Sequence, residues 1–336
     1  MKTLYKITLL FAFVLLLSDF TFAQTERENG IQLYKKGDYS GAVKLLKQAT
    51  KTDANDAQAW YFLGVSYLRT DKRKESEKAF KKAVALDQTD AKAHVGLAYV
   101  YLLKNNSSDA QSEAQSALKI NPNDVEAHYI YGVVNFRNSS FNAAYERAKK
   151  AIELNPNFAN AYLLKSETLV SSFVIQTGTV TKLPGARNQM LQEAADDLER
   201  YLTLMPTASD VEFQRENLES LKFFSEYYGR PENQKPVNFE ITAQSDADKM
   251  PLKLLSKPIA AYTDSARSAG VSGVVRLLVG FSADGNVKHI LIVKPLGFGL
   301  NEQAVRAARK IKFEPATKEG KPVSVVKQIE YSFSIY

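Results

Sequence analysis

Three histidines, His94, His128 and His289, are the natural place to look for acid–base or metal chemistry in this chain. They do not form a metal-ligand pair at helical spacing, and no glycine-rich phosphate loop or nucleophile elbow accompanies them. Cysteine is absent altogether. That excludes disulfides, thiolate ligands, a cysteine nucleophile and a lipid anchor on cysteine. Carboxylates are plentiful, 37 in all, but no spacing singles out an acid–base pair. The expectation is a non-enzyme without cofactor or metal. His94 and His128 also stand 34 residues apart, which moves attention from chemistry to periodicity.

The ring series Trp60, His94, His128 and Tyr162 holds one phase of a 34-residue period. Small residues hold another at Gly30, Gly64, Ala98, Gly132 and Ser166, and alanines a third at Ala49, Ala83, Ala117 and Ala151. Between them lie helical stretches broken at Asp53 to Asp56, Asp87 to Asp90, Asn121 to Asp124 and Asn155 to Asn157. Each break reads as a helix stop, an Asx cap and a new start. Two helices per unit, with small residues where they cross, predict a solenoid of helical hairpins, the ring filling the gap toward the next unit. The fifth unit is stretched. A first helix from Ala159 into Ser172 is followed by a breaker-rich loop, then helices Gln189 to Leu204 and Val211 to Tyr227.

Trp60-x-x-Leu63-Gly64-x-x-Tyr67 followed by Phe80-x-x-Ala83, and Leu97-Ala98-x-x-Tyr101 with Ala110 and Pro122, resemble the tetratricopeptide repeat. Departures are Ser76 in place of alanine, Asn135 in place of an aromatic and Lys165 in place of leucine. In hairpin repeats the first helix of each unit lines the concave surface. Rows at the 34-residue step then run Tyr61, Val95, Tyr129, Leu163; Val65, Tyr99, Val133, Glu167; and Leu68, Leu102, Phe136, Val170, bordered by Arg69 and Arg137. Among these, Tyr61, Val65, Arg69, Tyr99, Leu102, Tyr129, Phe136 and Arg137 are the candidates for protein binding. The first two rows lack the Lys, Asn and Arg set that the resemblance associates with binding a terminal carboxylate. An apolar helix or an aromatic-containing extended segment fits them better.

Past a stretch without clear period, strands take over. Val274 to Phe281, the turn Ala283-Asp284-Gly285-Asn286 and Val287 to Val293 predict a hairpin. A helix Glu302 to Lys310, a loop through Pro315 and Gly320, and a last strand Val323 to Ile335 follow, while Ala260 to Ala269 reads as a short helix ahead of the hairpin. The order predicts three antiparallel strands with helices on one face. Here Lys257-Pro258-x-x-x-Tyr262-x-x-x-Ala266, Gly270-x-x-Gly273-x-Val275, Asp284-Gly285, Gly299-Leu300-x-x-x-Ala304, Lys312-Phe313-x-Pro315-Ala316 and Gly320-Lys321-Pro322 resemble the C-terminal domain of TonB, the energy transducer of outer-membrane import. The resemblance implies capture of a peptide or partner. The open edge of the last strand, with Val325, Lys327, Ile329 and Tyr331, is the candidate surface.

Lys2, Lys6, the apolar run Ile7 to Leu17 and the end Thr21-Phe22-Ala23 read as a secretory signal, with an uncleaved anchor as the alternative. The expected organisation is a signal at 1–23, an all-α repeat superhelix at 24–228, a linker at 229–249 and a small α+β domain with a three-stranded antiparallel sheet at 250–336. Residues 24–245 are charge-neutral, whereas 246–336 hold 14 basic and 8 acidic residues. That excess favours an acidic partner surface, and no nucleic-acid reading motif is present. The expected setting is the periplasm, or the periplasmic face of the outer membrane, of a Gram-negative bacterium, with no stable membrane span after processing. The expected role is an adaptor that binds protein or peptide partners, a TonB-dependent receptor among them; a periplasmic assembly scaffold is the alternative.

Overall fold

A computed structural model describes residues 24–177, 184–229 and 249–335. The expected signal at 1–23 and nearly all of the expected linker at 229–249 lie outside the described residues. The described chain forms two compact units, one ending at Tyr131 and one beginning at Gly132.

The first unit is a run of antiparallel helical hairpins. Its helices are α1 (residues 24–35), α2 (Tyr39–Thr52), α3 (Ala57–Arg69), α4 (Arg73–Leu86), α5 (Ala91–Leu103), α6 (Ser107–Ile120) and the start of α7 (Val125–Arg137). Local polar chemistry sets the breaks. The side chains of Asp53, Asp87 and Asn121 accept from the N–H two residues on, and those of Asp56, Asp90 and Asp124 cap the next helix. A side-chain oxygen at such a position satisfies a donor that the helix itself leaves unpaired. At the crossings the small residues are required. A Cβ on Gly64 would come within 2.9 Å of the Phe80 ring, itself fully buried. Ser76, the departure from alanine, donates its hydroxyl to the Gly64 carbonyl at 2.8 Å, so its polarity is used at the same crossing.

The ring phase does more than fill space. Trp60 Nε1 donates to the Ala54 carbonyl at 2.9 Å, and Tyr162 Oη in the second unit donates to the Pro156 carbonyl at 3.1 Å. His94 Nε2 stands 3.2 Å from the Gln88 carbonyl and His128 Nε2 2.9 Å from that of Pro122. All four reach the residue six positions back, tethering the turn between units to the helix that follows it. His94 also places Nδ1 2.6 Å from Glu113 on α6. Only the imidazolium offers a donor to both partners. The Glu113 carboxylate therefore holds the His94 pKa above its usual value, in spite of burial, and the Gln88 carbonyl adds to this. A raised folded-state pKa means that the contribution is complete below about pH 6.5 and is lost as pH rises through the folded value. Urea unfolding followed by fluorescence of Trp60, the only tryptophan, should show this unit losing about 1.5 kcal/mol above neutrality, the range of a hydrogen bond to a charged group. His94→Gln should flatten that pH dependence.

The second unit continues with α8 (Phe141–Leu154), α9 (Ala159–Thr177), α10 (Pro184–Leu204) and α11 (Val211–Gly229), each packed on its neighbour. Helix α10 starts five residues before the position expected from its alanines. Lys165, the departure from leucine on α9, contacts Glu193 and Asp197 of α10 at 2.8 and 2.9 Å.

The C-terminal part contains β1 (Lys249–Met250), β2 (Lys253–Ser256), α12 (Asp264–Ser268), β3 (Gly273–Phe281), β4 (Val287–Lys294), α13 (Leu300–Ala308), β5 (Lys312–Glu314), β6 (Ala316–Lys318), β7 (Lys321–Val323) and β8 (Val325–Phe333). The main sheet is antiparallel in the order β4-β3-β8; β2-β5 and β1-β6-β7 form two small ones. Helix α12 is shorter than expected because Thr263, whose hydroxyl accepts from the Ala266 N–H, starts it late. The expected last strand is divided at Ser324 into β7 and β8.

As expected, the domain's own helices lie on one face of the sheet, and helices of the repeats cover the other. Val275, Leu277, Val279, Phe281, Ile329, Tyr331 and Phe333 pack with Ala266 of α12 and Leu300, Ala304 and Ala308 of α13. The opposite face presents Leu278, Leu291, Val293 and Val326 to Val170, Phe173, Leu221, Phe224 and Tyr227 of α9 and α11. The sheet is thus a middle layer. Two register shifts between β3 and β4 leave His289 and Val293 as the extra residues. Such bulges re-aim side chains. His289, in the left-handed region at φ 49°, lies flat on Phe223 of α11 with centroids 3.9 Å apart. Burial there lowers its pKa, so the neutral imidazole is the stacked form. The Ile290 N–H donates to Ser220 Oγ at 3.2 Å, a polar contact on the same face, and Arg309, just past α13, pairs with Glu216 of α11 at 2.7 Å.

Candidate protein-binding surfaces

In the first unit, α3 carries Tyr61, Val65 and Arg69, α5 carries Tyr99 and Leu102, and α7 carries Tyr129. Tyr99 is 40% exposed, the most open large apolar side chain of the rows. Tyr61, Val65 and Tyr129 are half-buried and Arg69 is exposed, its guanidinium 6.0 Å from the Tyr39 ring centre. The Tyr61 ring packs against Phe62 and Phe80, and burial, with the Glu126 carboxylate adding to it, pushes its hydroxyl up to about 12. It therefore stays a neutral donor with an apolar body, a combination suited to protein contact. Leu102 is corrected to a core position: it is buried, as is Val95 of the same rows.

In the second unit the rows meet the chain itself. Leu163, Glu167 and Val170 of α9 line a cavity of about 40 Å³, closed by Phe213, Asn217 and Leu221 of α11 and by Leu291, Ile292 and Pro295. Burial pushes the Glu167 carboxyl up to about 7, with the Asp210 carboxylate adding to the shift. Phe136 is half-buried and contacts Phe141, while the Arg137 guanidinium lies 5.0 Å from the centre of the Phe298 ring, in the loop before α13. In this unit the sheet and its loop cover the positions expected to face a ligand.

The last strand is an edge, with β3 on one side and no strand on the other among the described residues. Val325, Ile329 and Tyr331 are corrected to core side chains, buried because alternation turns them toward α12 and α13. What β8 presents outward is its backbone and the exposed Lys327, Gln328, Glu330 and Ser332. Sequence reasoning passed over Lys257 except as part of a motif. Its Nζ donates to the backbone oxygen of Glu330 at 2.7 Å and sits 4.9 Å from the Tyr331 ring centre. His289 falls within the expected strand Val287 to Val293, and the unbroken run Ile290-Leu291-Ile292-Val293 beside it signals a strand covered on both faces.

Among the described residues no group of three or more His, Asp or Glu is placed to hold a metal ion, and no helix is long and apolar enough to cross a membrane.

Residues 259–335 match the family described as Gram-negative bacterial TonB protein C-terminal, and residues 31–127 match the middle TPR-like domain of cilia and flagella-associated protein 70. Among curated proteins no match is found. Similar solved structures include the MamA protein, at 21% identity and TM-score 0.43 over 57% of this chain and 95% of that one. A thermophilic TPR protein of Thermus thermophilus aligns at 21% identity and TM-score 0.45 over 60% and 99%. YrrB, described as a TPR protein with an unusual peptide-binding site, aligns at 18% identity and TM-score 0.41 over 56% and 90%. Residues 31–127 are thus similar to a TPR-like domain, and the chain carries at residues 259–335 a domain of the TonB C-terminal type.

Proposed function

We propose that this chain is a cell-envelope adaptor, accessory to TonB-dependent transport across the outer membrane, with the repeats and the terminal strand each engaging a protein or peptide partner. The observation that carries the reading is the edge of β8, unpaired among the described residues, on a domain of the TonB C-terminal type. An extended segment satisfies open backbone groups at such an edge. The aromatic row of the first unit supplies a second contact area. The setting is the periplasm or the periplasmic face of the outer membrane, and the leader at 1–23 is the proposed route there.

A second reading, an assembly scaffold that uses the terminal domain for docking alone, draws support from the sheet face packed on α9 and α11. A domain held this way is poorly suited to the long reach of a transducer. Crosslinking and pulldown from envelope extracts separate the two. Enrichment of outer-membrane receptors supports transport, whereas assembly or peptidoglycan factors without receptors support the scaffold. Changing Tyr99 and Tyr129 together to serine should reduce partner recovery at least tenfold, with the helical circular-dichroism signal kept. Unchanged recovery would remove the aromatic row from the binding surface.

A further inference from the structure

The row Val65, Tyr99, Val133 and Glu167 turns acidic only on α9. There Glu167 lies half-buried on the cavity of about 40 Å³ where α9 meets α11 and the β4 side of the sheet. Its row neighbours Leu163 and Val170 line the same cavity. The positions that the repeat pattern gives to a ligand are therefore taken by Leu291, Ile292 and Pro295 of the chain's own terminal part. Glu167 has no hydrogen-bond or ion-pair partner among the described residues, and no cation lines the cavity. Helix α11 faces it with the neutral amides of Gln214 and Asn217, and α10 with Leu198. The nearest charge is the Asp210 carboxylate, in the turn between those helices, which accepts from Tyr201 at 2.9 Å and from Gln214 at 3.1 Å. Lys165, two residues earlier on α9, is engaged with Glu193 and Asp197 of α10.

An ionised carboxylate with another anion nearby and no donor is costly to enclose, so the closed layer favours a proton on Glu167. We infer that the sheet is an intramolecular occupant of the α9 rows, a lid that seats while Glu167 is protonated and lifts when it ionises. The direction follows from the two states. Exposed under a lifted lid, Glu167 titrates at its ordinary 4.5; enclosed, it holds its proton up to about 7. Seating therefore takes up a proton, and a rise in pH from 4.5 to 7 favours lifting throughout, with no further gain above. His289, stacked on Phe223 of α11, opposes this. Burial lowers its pKa against the Glu219 carboxylate, and Lys288 adds to the lowering, so its share favours seating as pH rises toward its ordinary 6.5. Glu167 has the larger shift and sets the net direction. If the repeats engage a partner as proposed above, α9 admits it only with the lid lifted; the lid itself stands without that reading.

The Ile290 N–H reports the lid directly, because it leaves β4 for Ser220 Oγ on α11. The amides of β3, between two strands, report unfolding of the sheet itself. The test is amide-resolved hydrogen exchange of the full chain from about pH 5 to pH 8. Each rate is divided by that of the free peptide at the same pH, which removes the ordinary pH dependence of exchange. In the wild type the protection of Ile290 should fall roughly tenfold or more, the effect of one unit of pKa shift, while β3 holds. Glu167→Gln should remove the fall and leave the shallow rise that His289 imposes. If that variant fails to fold, Glu167→Val takes its place, valine being the residue of the row at 65 and 133. Protection of Ile290 that is flat in the wild type, or that falls as steeply in the Glu167 variant, would overturn the trigger. A fall shared equally by β3 would overturn the lid, since the sheet would then be unfolding and not lifting. Failure of the envelope pulldown, with the fall at Ile290 intact, would sink the partner reading alone.

Discussion

Lys165→Ala should destabilise the second unit by about 3–5 kcal/mol, the cost of removing one partner from a buried ion cluster. The Lys165 side chain is 13% exposed and that of Asp197 8%, with 2.9 Å between them. Lys165 also contacts Glu193 at 2.8 Å, and Glu193 accepts from the Tyr145 hydroxyl at 2.9 Å. Burial opposes the ammonium, yet its hydrogen bonds to Glu193 and Asp197 prevail and its pKa is raised. Asp197 shows the opposite balance: burial outweighs those bonds and lifts its carboxyl to about 6. Without Lys165, Asp197 is left in apolar surroundings with no compensating charge. Lys165→Leu, which restores the usual residue of the repeat, should be nearly as harmful by itself. Combined with Asp197→Leu it should recover most of the loss, because apolar replacement of a whole buried ion pair is often neutral. Urea unfolding of the three variants by circular dichroism reads the series. Equal stability of Lys165→Ala and wild type would show that solvent already screens the cluster.

Phe224→Ala should cost about 3–5 kcal/mol, the range for emptying a phenylalanine site in a closed core. Phe224 is fully buried on α11, in the cluster that joins α9 and α10 to Leu291, Val293 and Val326 of the sheet. The loss should therefore be felt on both sides of that layer. Hydrogen exchange ought to quicken in β4 as well as in α11, while the Trp60 signal from the first unit stays at its wild-type midpoint. If α11 loosens and β4 keeps its protection, the sheet does not depend on the repeats for its second face.

The elements of the repeats were legible because their determinants are local. An Asx stop, a cap three residues later and a small residue at the crossing all lie within one turn of the feature they set. The tether from the ring phase was half legible. Trp60, His94, His128 and Tyr162 all carry a polar tip, which plain packing would not require. The second face of the sheet was harder to see, because its partners lie far back in the chain: Ser220 for Ile290, Phe223 for His289. Consecutive apolar residues at Ile290 to Val293 and at Val325-Val326 were the available sign. The bulges were not readable, since a register shift depends on the partner strand and not on the strand that carries it. For the candidate surfaces, periodicity placed residues on the right helices but could not say that Leu102 is buried or that the chain covers its own Leu163 and Val170.

The tethers also bear on the order in which the chain folds. A bond from a ring to the carbonyl six residues back closes a very small loop, so each hairpin of the array can nucleate cheaply by itself. The sheet is different. Strand β3 lies between β4 and β8, and Gly273 pairs with Phe333, which is made much later. Until those last residues arrive, β3 has an open side, and the face of α11 that holds Phe224 lacks Val326. In a chain synthesised from its N-terminus, the repeats are complete while the final layer waits, exposing apolar surface and an unpaired strand together. That interval is when this protein is most open to aggregation, and most in need of a chaperone.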